Sequence, residues 1–90
     1  MYTIKPTTRF LKDLKRIEKR GYKMDLLTAV IKKLAAGEPL EPSHQDHPLK
    51  GNFEGCRECH ITSDWLLIYE IVDKELVLYL IRTGTHGDLF

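Results

Sequence analysis

Two apolar stretches late in the chain limit what it can become. Trp65–Val72 is apolar at every position except Glu70, and Leu76–Ile81 is apolar throughout. Neither reaches the ~18 residues that a membrane-spanning helix needs. Asp73-Lys74 between them reads as a tight turn, so the pair predicts a hairpin of strands, Trp65–Val72 and Glu75–Arg82. A strand apolar at both parities is one covered on both sides, which makes Trp65–Val72 a central strand. Ahead of it, Phe53–Thr62 alternates. Glu54, Cys56, Glu58 and His60 share one face, while Phe53, Arg57, Cys59 and Ile61 share the other. Ser63-Asp64 turns the chain between these two strands.

The first third has a different period. Tyr2–Lys5 predicts a short strand closed by Pro6, and Thr7 or Thr8 supplies the N-cap oxygen of a helix. Phe10, Leu14 and Ile17, with Leu11 beside them, give that helix an apolar face, and Gly21 stops it. A second helix starts near Met24–Asp25, carries the stripe Leu27, Val30, Ile31 and Leu34, and ends at Gly37. The short link between them predicts an antiparallel helix hairpin. Three prolines keep Glu38–Gly51 from forming a helix. The order β-α-α-β-β-β predicts an α+β fold with the helix hairpin on one face of an antiparallel sheet. The other face is expected to be open and lined by Trp65, Tyr69 and His60. At 90 residues the whole chain, 1–90, reads as one domain.

The formal net charge of +1 conceals an asymmetry. Residues 1–33 carry ten Lys and Arg against three acids, and residues 34–90 carry four against ten. A basic segment of this kind points to a polyanion, usually nucleic acid. The first residues have no apolar signal core, so a cytoplasmic location is expected. Cys56 and Cys59 are expected as free thiols, since a reducing compartment disfavours a disulfide. Mid-strand spacing sends them to opposite faces, which argues against a zinc site with His60 and His47. No helix start follows them to activate a thiol.

The chemistry gathers at one end of the predicted sheet. If the strands meander, His60, Asp64, Trp65, Arg82 and the segment carrying His86 meet there, and His47 precedes a proline that holds its backbone extended. Taken singly, each histidine reads as a surface or packing residue and Trp65 as core. Together the set suits RNA cleavage by transesterification. A base removes the 2′-hydroxyl proton, an acid protonates the leaving 5′ oxygen, Arg82 stabilises charge on phosphate, and Trp65 or Phe90 stacks on a base. Neither a metal nor another cofactor is required.

Four blocks, Asp46-His47-Pro48-Leu49-Lys50-Gly51, Arg57-Glu58-Cys59-His60, Asp64-Trp65-Leu66-Leu67-Ile68-Tyr69 and Arg82 through Phe90, closely resemble the YafQ branch of the RelE toxin superfamily. The resemblance runs over essentially the whole chain. It implies a small sandwich related to microbial ribonucleases, and the toxin half of a bacterial type II toxin–antitoxin pair. Such a toxin is an endoribonuclease that cuts message in the ribosomal decoding site without metal. Carried over residue by residue, it implies that His47, His60, Asp64 and His86 form the acid–base set. His86 would be the general acid, with His47 or His60, helped by Asp64, acting on the 2′-hydroxyl. Arg82 would bind phosphate, and Trp65 and Phe90 would shape or stack on the substrate. The basic helix, through Lys12, Lys15, Arg16, Lys19 and Arg20, would dock on ribosomal RNA. The implied partner is a DinJ-like antitoxin, acidic on electrostatic grounds. The toxin is expected to be monomeric alone and hetero-oligomeric with that partner. Asp88 places a negative charge near this site with no role assigned. The competing reading is a non-catalytic basic module, which would bind nucleic acid in a salt-sensitive way without cutting it.

Overall fold

In a computed structural model describing residues 1–90, β1 is Thr3–Pro6, α1 is Thr8–Lys19 and α2 is Met24–Ala35. The helix limits follow the local chemistry. Thr7 is extended and its Oγ1 accepts the N–H of Phe10, and Gly21 turns the chain at φ +79 after the C-cap Arg20. The segment expected as a loop contains a 3₁₀ turn at Pro42–His44 and a two-residue strand β2, His47–Pro48. A second 3₁₀ turn, Gly51–Phe53, precedes β3 (Arg57–Thr62), β4 (Trp65–Val72) and β5 (Val77–Gly84). The last four-residue helix, α3, is His86–Leu89.

The sheet has five strands in the order β1-β5-β4-β3-β2. It is mixed rather than antiparallel, because β1 runs parallel to β5 with Thr3 opposite Val77. The helix hairpin carries the chain away from β1, so nothing in the β1 sequence fixes which neighbour it takes or in which sense. Strand β5 starts at Val77, two residues later than expected. Leu76 instead closes the turn in the left-handed region at φ +55 and is exposed.

Both faces of β4 are covered. Toward the helices, Trp65, Leu67 and Tyr69 join Phe10, Ile17, Leu27, Val30, Leu34, Cys59, Leu78 and Leu80 in the main core. On the far face, Leu66 and Ile68 pack with Leu89 of α3, flanked by Leu49, Phe53, Cys56 and Ile81. The far face is therefore not open, and Trp65 and Tyr69 do not line it. Their parity puts them under the helices, and only His60 of the three stands on the far side. Strand β3 starts at Arg57, four residues later than expected, because Phe53 ends a 3₁₀ turn and packs in the smaller cluster with Cys56 rather than on the Cys59 face. Within β3 the alternation holds, with Cys59 and Ile61 in the main core. Both thiols are free, and burial pushes that of Cys59 up to about 12.

Two ion pairs tie α1 to the rest. Asp13 lies on the apolar stripe of α1 and is 2 % exposed. Its carboxylate accepts Arg82 Nε at 2.7 Å, a second guanidinium nitrogen of Arg82 at 3.0 Å and the N–H of Thr83 at 3.1 Å. Three donors satisfy a buried charge that would otherwise be costly. At the other end, Arg20 donates to both oxygens of Asp88, at 2.7 and 3.0 Å, which brings α3 onto α1. The Arg20 guanidinium and the backbone N–H of Thr85 hold the Asp88 carboxyl well below the usual carboxylate range.

Replacing Asp13 by Ala leaves Arg82 buried without a partner, and urea denaturation should register a loss of about 3–5 kcal/mol. The Asp88 pair has a pH signature. A carboxyl lowered on folding stabilises fully above its unfolded value, about 3.9, and that stabilisation is lost as pH falls toward the folded value. The gap in melting temperature between wild type and Asp88→Asn should therefore hold steady from pH about 7 to 5. It should narrow as the pH falls through about 4 in a thermal-melt series.

Candidate active site

The edge strand β2 and its neighbour β3 bring the first two histidines together. In register, His47 stands opposite Glu58, and His60 lies two residues further along β3 on the same face. The His47 and His60 ring centroids are 6.5 Å apart. Glu58 lies between them, with Oε1 3.3 Å from His47 Nε2 and 3.8 Å from His60 Nε2, and its side chain is only 4 % exposed. The resemblance includes this carboxylate in one of its blocks but gives it no role. Its signal was present in the alternation that set Glu58 and His60 on one face.

Hydrogen bonds fix the protons of this pair. His47 Nδ1 lies 2.6 Å from the carbonyl of Gln45, which only accepts, so Nδ1 carries a proton. The His47 Nε2 contact with Glu58 is then attractive only with a second proton between them. The loop before His47 is held in place for this. Asp46 accepts from the Tyr69 hydroxyl at 2.7 Å and from Arg57 Nε at 3.2 Å, and Gln45 takes the left-handed region at φ +47. A non-glycine residue there costs about 1–2 kcal/mol, which surrounding contacts must offset. His44 donates from Nδ1 to the backbone carbonyl of His60 at 2.6 Å and fixes β3 from the loop side. Beside it opens a cleft of about 470 Å³, lined by Ser43, His44, Gln45, His60, Thr62 and Ser63 among others.

The third histidine comes from α3. His86 lies 6.2 Å from His60, ring centroid to centroid. Its backbone N–H and Nδ1 both point at Asp64 Oδ1, at 3.3 and 3.4 Å. Since a carboxylate only accepts, Nδ1 carries the proton and Nε2 is left to solvent and substrate. Phe90 extends the row, 5.9 Å from His86 and edge-on to Phe53 at 5.7 Å, and remains 63 % exposed. The result is a continuous line of rings, His47, His60, His86 and Phe90, with Glu58 beneath one end and Asp64 beside His86.

Trp65 and Arg82, both assigned to the substrate, stand elsewhere. Trp65 is 2 % exposed, packs edge-on against Tyr22 and donates its indole N–H to Thr83 Oγ1, so it offers no free ring face. Arg82 pairs with Ile68 of β4 just past a bulge in β5, and Asp13 of α1 occupies its guanidinium. It is 7 % exposed, with no guanidinium face free for a phosphate. In the basic helix, Arg20 is bound to Asp88, and Arg16 sits 3.8 Å from both Asp13 and Asp88. Lys12, Lys15 and Lys19 remain exposed and free of such pairs.

Comparison with known proteins bears on this arrangement. Residues 2–90 match the sequence profile of a family described as the bacterial toxin of type II toxin–antitoxin system, YafQ. The mRNA interferase toxin YafQ of Escherichia coli strain K12 is 40% identical over 82 residues, covering 90% of this chain and 87% of that one. A metal-bound toxin from Helicobacter pylori superposes with a TM-score of 0.94 at 46% identity, covering 100% of both chains. The DinJ–YafQ complex of E. coli gives a TM-score of 0.91 at 37% identity, over 100% of this chain and 99% of that one. With a matching profile along nearly its full length and a fold to agree, the chain belongs to the YafQ family of bacterial type II toxins.

Proposed function

We propose that this chain is an mRNA interferase, an endoribonuclease that cuts message by acid–base transesterification. The observation that carries the reading is the line of three histidines flanked by two carboxylates on one accessible face. Within it the roles divide by surroundings. Asp64 accepts from His86 Nδ1, which leaves Nε2–H of the protonated His86 to meet the leaving 5′ oxygen as general acid. Glu58 lies beside the other end, where His47 or His60 takes the proton of the attacking 2′-hydroxyl. The 2′ oxygen then bonds to phosphorus, the bond to the 5′ oxygen breaks, and the products are a 2′,3′-cyclic phosphate and a 5′-hydroxyl. Each proton transfer contributes ~10²–10⁴-fold. Asp64 thus serves the acid rather than the base.

Charge on the phosphate has to be met without Arg82. The N–H groups of the histidines themselves face the row and serve as donors to the non-bridging oxygens. Phe90, with an exposed ring at the end of the row, is the stacking residue for an unpaired base. The H. pylori relative was crystallised with metal. Here no group of three or more His, Cys, Asp or Glu side chains is placed to hold a metal ion.

Docking on ribosomal RNA falls to Lys12, Lys15 and Lys19, which repeat at helical spacing along α1. Arg16 and Arg20 are engaged internally. An acidic antitoxin, the counterpart of DinJ in the E. coli complex, would meet the same basic surface or the histidine row. No helix is long and apolar enough to cross a membrane.

Mapping cuts in a translated message tests the mechanism. His86→Ala should cut about 100-fold or more slowly than wild type, with Glu58→Gln also impaired and cleaved ends carrying 2′,3′-cyclic phosphate. Wild-type rates in His86→Ala would overturn the assignment. Reversing Lys12, Lys15 and Lys19 to Glu should weaken ribosome binding in sedimentation assays. The slope of log affinity against log salt should fall in magnitude by about 2, at ~0.7 per lost phosphate contact. An unchanged slope would leave those lysines as a solvated face.

A further inference from the structure

We propose that Asp88 is a positioning residue for His86: clamped by Arg20 of α1, it sets where α3 presents the imidazole to Asp64 and His60. The inference rests on the acid–base reading above and extends it to a residue and a helix outside the histidine row.

A four-residue helix does not hold itself together, because nucleation is unfavourable and helices shorter than ~12–15 residues are marginal in water. The position of His86 must therefore be imposed from outside α3. Its own side-chain contact does little of this. The Asp64 interactions are long, at 3.3 and 3.4 Å, and both side chains are more than half exposed. Exposed contacts of that kind contribute little ordering. Asp88 is placed differently. Its Oδ2 accepts the N–H of Thr85 at 2.9 Å while Thr85 Oγ1 accepts the N–H of Asp88 at 3.2 Å, a reciprocal box that fixes the residues on both sides of His86. The same carboxylate takes both guanidinium nitrogens of Arg20, with Arg16 3.8 Å away.

The space for this clamp is reserved at Gly84. A Cβ at that position would stand 2.9 Å from Asp88 Oδ2 and 3.0 Å from Asp88 Cβ, so a side chain there would push the carboxylate out. Arg20 in turn is fixed because α1 is bolted to β5 through Asp13 and Arg82. Strand β5 thus reaches His86 by two routes, directly through Gly84 and Thr85, and back through α1, Arg20 and Asp88. The two routes form a closed brace around the catalytic segment. Leu89, 8 % exposed, supplies the apolar anchor but sits beyond His86 and leaves its direction unset.

The test is a pair of double-mutant cycles read by single-turnover cleavage on programmed ribosomes. Asp88→Asn and Arg20→Gln should each slow cleavage about 10–100-fold, as small misplacements of catalytic groups do. The ribosome concentration for half-maximal rate should stay within about twofold of wild type. In a His86→Ala background neither substitution should change the residual rate by more than about twofold, because the group they position is gone. Circular dichroism verifies that each variant is folded, and Arg20→Gln, at a partly exposed site outside the box, carries the test if Asp88→Asn does not fold. Wild-type rates in folded variants, equal slowing in both backgrounds, or a change confined to the half-maximal ribosome concentration would each overturn the proposal. If His86→Ala itself cuts at the wild-type rate, the acid–base reading fails and this inference with it.

Discussion

A single buried carboxylate organises the helical layer. Asp13 interrupts the apolar stripe of α1 and is enclosed between that helix and β5, where Arg82 and the Thr83 N–H complete its hydrogen bonding. Apolar contacts alone would let α1 slide along the sheet, since they carry no direction. Three directed hydrogen bonds to one carboxylate fix both register and rotation. From that fixed helix follow the place of Arg20, the place of Asp88 and the placement of the last helix over the far face of the sheet. Thr83 adds a second link, receiving the Trp65 indole N–H at 2.9 Å and donating to the Leu66 carbonyl at 2.7 Å.

The same carboxylate explains what the amino-acid pattern revealed and what it concealed. Helix limits were legible because Thr7, Gly21 and Gly37 act within one turn of chain, and β3 was legible because period two survives over Arg57–Thr62, though not back to Phe53. The convergence of His60, Asp64 and His86 followed from hairpin geometry alone. The parallel pairing of β1 was hidden, since it depends on how the helix hairpin returns the chain. The fate of Arg82 was hidden for a related reason. An arginine near histidines reads as a phosphate ligand, and only its pairing with Asp13, one acid in a basic helix, says otherwise. Asp13 at three residues from Phe10, in a stripe otherwise apolar, was the available clue. Trp65 shows the limit of reading a strand that is apolar at both parities, because either face can claim it.

Burial on both sides of β4 also defines what the site is made from. The far face is not a bare sheet waiting for substrate. It is a small second core, closed by α3 and the 3₁₀ turn at Gly51–Phe53, with the histidines arranged along its rim. Ring orientation in such a place depends on loops rather than on core packing. That accounts for the concentration of anchoring polar contacts at Asp46, His44 and Asp88, each fixing a segment that bears or adjoins a histidine.

The two outer strands of the sheet carry one more consequence. Strand β1 ends in Pro6 and β2 ends in Pro48, each a residue that presents no N–H to a neighbour. Unpaired outer strands are where proteins stick to copies of themselves, and short strands ending in proline are poor templates for that pairing. The brevity of β2 that leaves His47 at the rim therefore also protects the molecule from extending its sheet into an aggregate.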